Sequence, residues 1–258
     1  MRIDADLSAC AALLQQGDPD RFMAAMAAPV AARAVLLPIY ALNVEVVRVP
    51  WVTQEGLIGE IRLQWWRDAL AEIAAGIPPA PHEVLTPLAR VITAGQAGEL
   101  DELIAVRRWD IYKEPFDNPA HFAQYIDQSA GTLMWVAARA LGPANEGVVR
   151  DYAYASGLAN WLRAVPHLQE RGRLPLLDAS PEAIRGLARG GLERLARARE
   201  NRGLVSKAAS AALLVGWQAQ TVLTQALDDP QRVTSGTLGQ SEVGRRAALM
   251  YRVVTGRW

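Results

Sequence analysis

The sequence predicts an all-α protein, and three observations carry that prediction. Apolar residues recur at three- and four-residue spacing along most of its 258 residues. No segment shows convincing alternation of apolar and polar positions, the mark of a half-buried strand. The breaks between the periodic stretches are short, and none resembles a flexible linker.

An apolar run begins at Ala31, and its Val-rich end, residues 44–52, is the one strand-like patch. It reads more simply as the end of one long helix stopped near Pro50. Residues 57–75 form the clearest helix. Ile58, Ile61, Trp65, Ala69 and Ile73 share one face, with Glu60, Arg67, Asp68 and Glu72 in the polar remainder. Gly76, Pro78, Pro79 and Pro81 end it. Further helices are expected at 82–93, 99–113, 119–140, 146–164, 181–201, 205–227 and 242–255, with breaks at 115–119, 141–145, 166–175 and 228–239. The sum is one all-α domain, residues 1–258, of nine or ten helices.

Charge narrows the function. Lys+Arg and Asp+Glu each total 27, so the formal net charge is zero. No nucleic-acid partner is expected, because such binding draws on a basic excess. Only Lys113 and Lys207 are lysines. The basic side is therefore mostly arginine, which favours fixed bidentate contacts, and the bias fits a GC-rich bacterial genome. The single cysteine, Cys10, excludes an internal disulfide and a cysteine-based metal site, and reads as a small apolar residue near a helix start. Acids at Asp4 and Asp6 with no apolar run after them argue against a secretory signal. The longest uncharged run, residues 208–227, is long enough to span a bilayer. Ser210, Gln218, Gln220, Thr221, Thr224 and Gln225 interrupt it, so it reads as a core helix and no transmembrane segment is expected. A soluble, cytoplasmic protein is expected.

Local motifs supply no chemistry. There is no phosphate loop, nucleophile elbow, zinc-protease helix or calcium loop. His82 and His121 sit at helix starts and, with His167, read as surface or capping residues. Asp228 and Asp229 precede Pro230 in a predicted turn, and no acids repeat on a helix face after them.

Three stretches together resemble the squalene/phytoene synthase family. The first is Arg21-Phe22 through Pro29, with Arg33 and Leu36-Leu37-Pro38-Ile39-Tyr40-Ala41-Leu42. The second is Gln64-Trp65-Trp66-Arg67-Asp68. The third is Gly157-Leu158-Ala159-Asn160-Trp161-Leu162-Arg163, continued by Arg171-Gly172-Arg173-Leu174-Pro175. Tyr125 with Ala130-Gly131 and Tyr251-Arg252 are smaller echoes. The resemblance covers almost the whole chain. It implies a single-domain helical bundle of the isoprenoid synthase type around a central cavity.

The resemblance also implies a chemistry to look for. Family enzymes join two prenyl diphosphates head to head, with magnesium bridging diphosphate oxygens to carboxylates on two facing helices. Carried over position by position, the first acidic motif falls on Val47, Arg48, Trp51 and Val52. The second falls on Ala164, His167 and Leu168. None of these is acidic. A slip of one turn would bring in Glu45 at the first helix, whereas Asn160 and Arg163 fix the register of the second. No cofactor is expected, and magnesium belongs only to the enzymatic alternative.

The stretches Asn43-Val44-Glu45-Val46-Val47-Arg48-Val49-Pro50 and Gly59-Glu60-Ile61-Arg62-Leu63-Gln64-Trp65-Trp66-Arg67-Asp68-Ala69-Leu70 sharpen the resemblance. They are similar to a non-synthase branch of the family that includes a mitochondrial respiratory complex I assembly factor and its proteobacterial relatives. That branch implies a non-catalytic binding or assembly factor for a complex I subunit or assembly intermediate, with peripheral contact at the inner membrane left open. Two alternatives stand beside it: a prenyltransferase with an atypical site, and a prenyl-lipid or diphosphate binding protein. Ligand-binding candidates are Arg33, Tyr40, Glu45, Arg48, Asn160, Arg163, Arg171 and Arg173. Candidates for partner contact or an internal polar network are Glu60, Arg62, Gln64, Trp65, Trp66 and Arg67. Trp65 and Trp66 point about 100° apart, so one is expected in the core and one at an interface.

Overall fold

A computed structural model describes residues 5–53 and 55–258. Asp4, one of the two acids that argue against a secretory signal, lies outside the described residues. Two helices precede the first expected one: α1 (Ala5–Gly17) and α2 (Pro19–Ala27). The Asp18 carboxylate caps α2 by accepting from the Arg21 amide at 2.9 Å, and Pro19 opens the helix where a missing N–H costs nothing. Next come α3 (Val30–Val52), α4 (Gly56–Ala74) and the short α5 (Leu85–Ala89). Then α6 (Ala94–Arg107) is opened by a reciprocal cap between Thr93 and Gln96, and α7 (Trp109–Tyr112) comes directly after it.

The helix expected at 119–140 is α8 (Pro119–Ile126) and α9 (Thr132–Leu141), joined by a π-helical turn, Asp127–Gly131. The second long helix, α10 (Glu146–Glu170), runs past Pro166, well beyond the expected end at 164. Val165 and Leu168 are buried on either side of that proline, and their packing offsets the one backbone bond it removes. α11 (Pro181–Glu200) is next. The run at 205–227 is no continuous helix. It is α12 (Ser210–Leu213), a 3-10 turn (Leu214–Gly216) and α13 (Ala219–Asp228). At the break, Gly216 lies so close to Tyr152 that a Cβ would meet its ring at 2.4 Å. α14 (Gln231–Thr234) and α15 (Glu242–Thr255) complete the chain. No strand occurs among the described residues; Ala144 and Val205 make one isolated bridge.

Two helices organise the rest. α3 packs against α1, α2, α4 and α9, and α10 packs against α9, α11, α13 and the π turn. α3 is long and apolar enough to cross a membrane by length and composition, but 61% of its most apolar window is buried within the bundle. That surface is spent on the core. The inward face of α4 differs from the expected one. Gly59, Leu63, Trp66, Ala69, Leu70 and Ile73 are buried, while Ile58, Ile61 and Trp65 are exposed. The buried face is turned about 90° from the most apolar stripe.

Two outcomes test this packing. α10 crosses the π turn so closely at Gly157 that an added Cβ would lie 2.5 Å from the Ala130 Cβ. Gly157→Ala should lower stability by about 1–3 kcal/mol, read as a lower midpoint of thermal unfolding. An unchanged midpoint would mean the helices are not in contact. Cys10 is fully buried and donates to the Glu83 carbonyl at 3.3 Å. Burial, then Asp6 and Glu83, push its thiol up to about 12. At pH 8 the folded protein should resist a disulfide reagent that labels the unfolded chain at once.

Candidate functional site

A cavity of about 340 Å³ is walled by α3 and α10 together. α3 contributes Asn43, Val47 and Trp51, which its four-residue spacing sets on one face. α10 contributes Gly157, Asn160, Trp161, Ala164 and Leu168 by the same periodicity. Arg107, Tyr125, Ile126, Ser129, Leu133, Arg173 and Gln218 close the far side, and Asp18, Asp20 and Arg21 form the edge at α2.

The wall carries three carboxylates and four guanidinium groups, a surplus of one positive charge. Each carboxylate is held by arginine. Asp18 pairs with Arg21 at 2.5 Å. Asp20 accepts from Arg163 at 2.9 Å, from Gln218 at 2.8 Å, and from Arg245. Asp110 pairs with Arg107 at 3.2 Å and accepts from the Tyr125 hydroxyl at 2.7 Å. Arg173, almost fully buried, donates to the Asp110 backbone carbonyl and lies 3.8 Å from its carboxylate. Burial opposes the charge on Arg107, yet Tyr125 and Asp110 hold its guanidinium above the usual value. Burial drives the Tyr125 phenol up, so it stays a neutral donor. The buried Nε atoms of Arg21, Arg107 and Arg173 have no protein acceptor. Trp51 presents its ring to two cations, with the Arg171 and Arg173 guanidinium carbons 4.5 and 5.1 Å from its centroid.

The ligand-binding candidates divide. Asn160, Arg163 and Arg173 line the cavity, and Arg171 stacks on Trp51 beside it. Four others do not line it. Arg33 donates to the Ala28 carbonyl at 3.1 Å, closing the end of α2. Tyr40 is fully buried and donates to the Ala212 carbonyl at 3.2 Å. Glu45 and Arg48 pair at 2.7 Å and line a smaller outer cleft with Arg62, Trp65, Trp66 and His82. The reason is helical pitch: Val47 and Trp51 face inward, so Arg48 turns outward toward Glu45 one turn away. Burial raises the Glu45 carboxyl above its usual range, against the pull of Arg48.

Among the α4 candidates Glu60, Gln64 and Arg67 are polar braces, Arg62 lines the outer cleft, and of the two rings one is buried and one exposed. Arg67 makes a two-bonded pair with Asp101 on α6 at 2.7 and 3.0 Å. Glu60 accepts from Tyr112 and from Arg108 at 2.8 Å, and these bonds hold its carboxyl below the usual range. Gln64 donates to Asp68 at 2.7 Å. Trp66 is buried and Trp65 is 47% exposed, and both rings meet His82, whose Nδ1 accepts the Val84 amide at 3.1 Å. Sequence reasoning does not single out Asp18, Asp20, Arg107, Asp110, Gln218 or Arg245 for the site. They come from separate segments along the chain, and the one local signal is the Asp18-Pro19-Asp20-Arg21 start of α2.

An all-α bundle whose two long helices wall a central cavity defines the isoprenoid synthase class of fold. A crystal structure of a dehydrosqualene synthase in complex with ligand matches at a TM-score of 0.75 over 97% of this chain and 96% of that one; identity is 13%, so the likeness concerns the fold alone. The squalene/phytoene synthase family model matches residues 14–213, and the chain belongs to that family. It is also similar to NADH dehydrogenase (ubiquinone) complex I, assembly factor 6. For the Bos taurus protein, identity is 23% over 211 residues, 80% of this chain and 62% of that protein. For the Homo sapiens protein it is 22% over 171 residues, 64% and 51%. The chain thus spans between half and two thirds of the length of these relatives.

Asp20 offers the direct test of the charge pattern. Asp20→Asn keeps the shape but leaves Arg163 and Arg245 facing each other without a counter-charge. The pairs are about a quarter exposed. The expected loss is about 2 kcal/mol in urea unfolding, below the figure for a fully buried pair because water screens this one. An unchanged urea midpoint would show that the three-way contact adds nothing.

Proposed function

We propose that this protein is a non-catalytic binding or assembly factor acting in the maturation of respiratory complex I. The observation that carries the reading is the donor set of the cavity. Magnesium takes hard oxygen ligands in octahedral geometry. At the stations implied by the family resemblance, α3 presents Val47 and Trp51 to the cavity and α10 presents Ala164 and Leu168. The carboxylates that do face it, Asp18, Asp20 and Asp110, are each committed to a guanidinium group. Among the described residues, no group of three or more His, Cys, Asp or Glu side chains is placed to hold a metal ion. These residues do not fit magnesium. The assembly role is carried over from the two mammalian relatives, whose own description names complex I assembly.

A second reading rests on the surplus of arginine. A wall with apolar residues, a buried Arg173 and a net positive charge suits an amphiphilic anion such as a prenyl diphosphate held without metal. Binding and assembly are compatible, because a bound lipid can be the signal a factor reads.

Deleting the gene should reduce assembled, membrane-bound NADH dehydrogenase on native gels, with restoration by the wild-type copy. Normal assembly in the deletion strain would sink the complex I reading. Purified protein should form no product from farnesyl or geranylgeranyl diphosphate with magnesium; magnesium-dependent turnover would overturn the non-catalytic reading. For the second reading, calorimetric titration with farnesyl diphosphate in chelator should show binding that Arg173→Gln weakens about tenfold, the loss of one charge-assisted contact.

A further inference from the structure

A second cavity of about 490 Å³ runs along α11, between α8, α10 and the segment after Arg173. Among the described residues, none lines both this cavity and the central one. Phe122 faces the second and Trp161 the first, and their rings meet edge to face with centroids 5.8 Å apart. The volume falls within the roughly 300–1,000 Å³ of small-molecule sites. Its floor is bare. Gly186 and Gly190 stand one turn apart inside α11, and a Cβ added to either would meet nothing within 4 Å. No neighbour crowds these positions, yet a glycine inside a helix costs about 1 kcal/mol relative to alanine. What their missing side chains leave is open space. Phe122, Leu176 and Leu177 wall that space, and Leu177 stays 47% exposed at its mouth.

One end of the cavity carries two unused donors. Arg194, one turn beyond Gly190, lays its guanidinium 3.9 Å from the centroid of the Tyr154 ring, so the aromatic face holds the cation in place. Its nearest carboxylate, Asp151, stands 3.9 Å away and is already bonded twice by Arg197, at 3.1 and 3.2 Å. Among the described residues Arg194 makes no hydrogen bond. Tyr154 is only 8% exposed, lines the cavity, and its hydroxyl donates to no protein group among the described residues. Burial raises its phenol above the ordinary value, which keeps the proton on the oxygen. Asp178, the one carboxylate of the lining, precedes α11 and so stands at the other end, exposed and accepting the Ser180 amide at 2.7 Å.

We propose that this cavity binds a monocarboxylate with a long apolar tail, its head taken by Arg194 and the Tyr154 hydroxyl and its tail laid over Gly186 and Gly190. Two donors side by side call for an acceptor, and a guanidinium meets a carboxylate with two parallel bonds. One cation suits one negative charge, whereas the central cavity gathers four guanidinium groups. From Ala183 to Arg194 the helix gives the tail a track of about 16 Å, comparable with an extended dodecanoate chain. The tail would cover Leu177 and fill the space that the two glycines leave. The site is independent of the central cavity and of the assembly reading.

Calorimetric titration of the full chain with dodecanoate should show saturable binding of one molecule. Dodecanol, which keeps the tail and lacks the charge, should bind about tenfold more weakly, and Arg194→Gln should weaken dodecanoate by a similar factor. Tyr154→Phe keeps the ring beneath Arg194 and should cost about threefold, the loss of one neutral hydrogen bond. Gly190→Leu should abolish binding while the midpoint of thermal unfolding stays at or above that of the wild type, because the new side chain enters open space and leucine is the better helix former. Absence of saturable binding would overturn the proposal. So would equal affinity for dodecanol and dodecanoate, which would remove the carboxylate from the reading. Dodecanoate binding that survives both Gly190→Leu and Arg194→Gln would place the ligand elsewhere and overturn it as well.

Discussion

Asp20 fixes the geometry of the cavity's edge. It sits in the first turn of α2 and receives Arg163 from α10, Gln218 from just before α13, and Arg245 from α15. The arginine partners stand 143 and 225 residues along the chain, so the contact closes the two ends of the sequence onto its middle. A single exposed ion pair contributes little to stability. This one differs because one carboxylate serves two guanidinium groups that would otherwise repel each other at close range. The same side chain lines the cavity, so closure of the fold and the charge of the cavity are set together.

The acids of the cavity are thereby consumed by its own arginines. Asp110 repeats the pattern on the other side: Arg107 and Tyr125 hold its carboxylate, and Arg173 comes in over the backbone. Taking Asp110 away would leave Arg107 and Arg173 buried with no counter-charge, the costly half of any buried pair. Each of these carboxylates therefore already serves an arginine. The guanidinium groups are less completely used, since three Nε atoms find no acceptor and one positive charge remains over. Trp51 adds to this bias, because its ring face draws Arg171 and Arg173 toward a position where the family pattern implies an acid. The lining of the cavity therefore carries a net positive charge.

Helical period and punctuation make the architecture legible. The sequence bounds α15 to the residue, and α4 and α11 within one, because each is limited by a cap or a breaker that acts locally. Boundaries go astray where a distant contact decides. The break in the run at 205–227 depends on Tyr152 approaching Gly216, and nothing near Gly216 announces that ring. The site is legible to the extent that it obeys helix register. Asn160, Arg163 and Arg173 can be placed because their spacing from the third family-like stretch is fixed. Arg48 cannot, because a shift of one residue turns a side chain about 100° and exchanges the cavity for the outer cleft. Asp20 and Arg245 meet only through tertiary closure, and no periodicity in either segment predicts the pair.

The stretch Gly59 to Leu70 is where the sequence is most like the assembly-factor branch, and the structure divides it by helix face. Gly59, Leu63, Trp66, Ala69 and Leu70 go to the core. Glu60 and Arg67 bind partners on α7 and α6 or beside them, and Gln64 binds Asp68 on its own helix. Packing and polar satisfaction account for these residues. They do not account for Ile61, 60% exposed, or Trp65, whose ring is half in water beside Leu57 and Ile58. A tryptophan left half exposed gains only part of what burying so large a side chain offers. Of the charged groups that share its cleft, Glu45 and Arg48 pair with each other and Arg62 lies alongside. On the assembly reading, the residues that the fold does not need are those free to meet a protein partner.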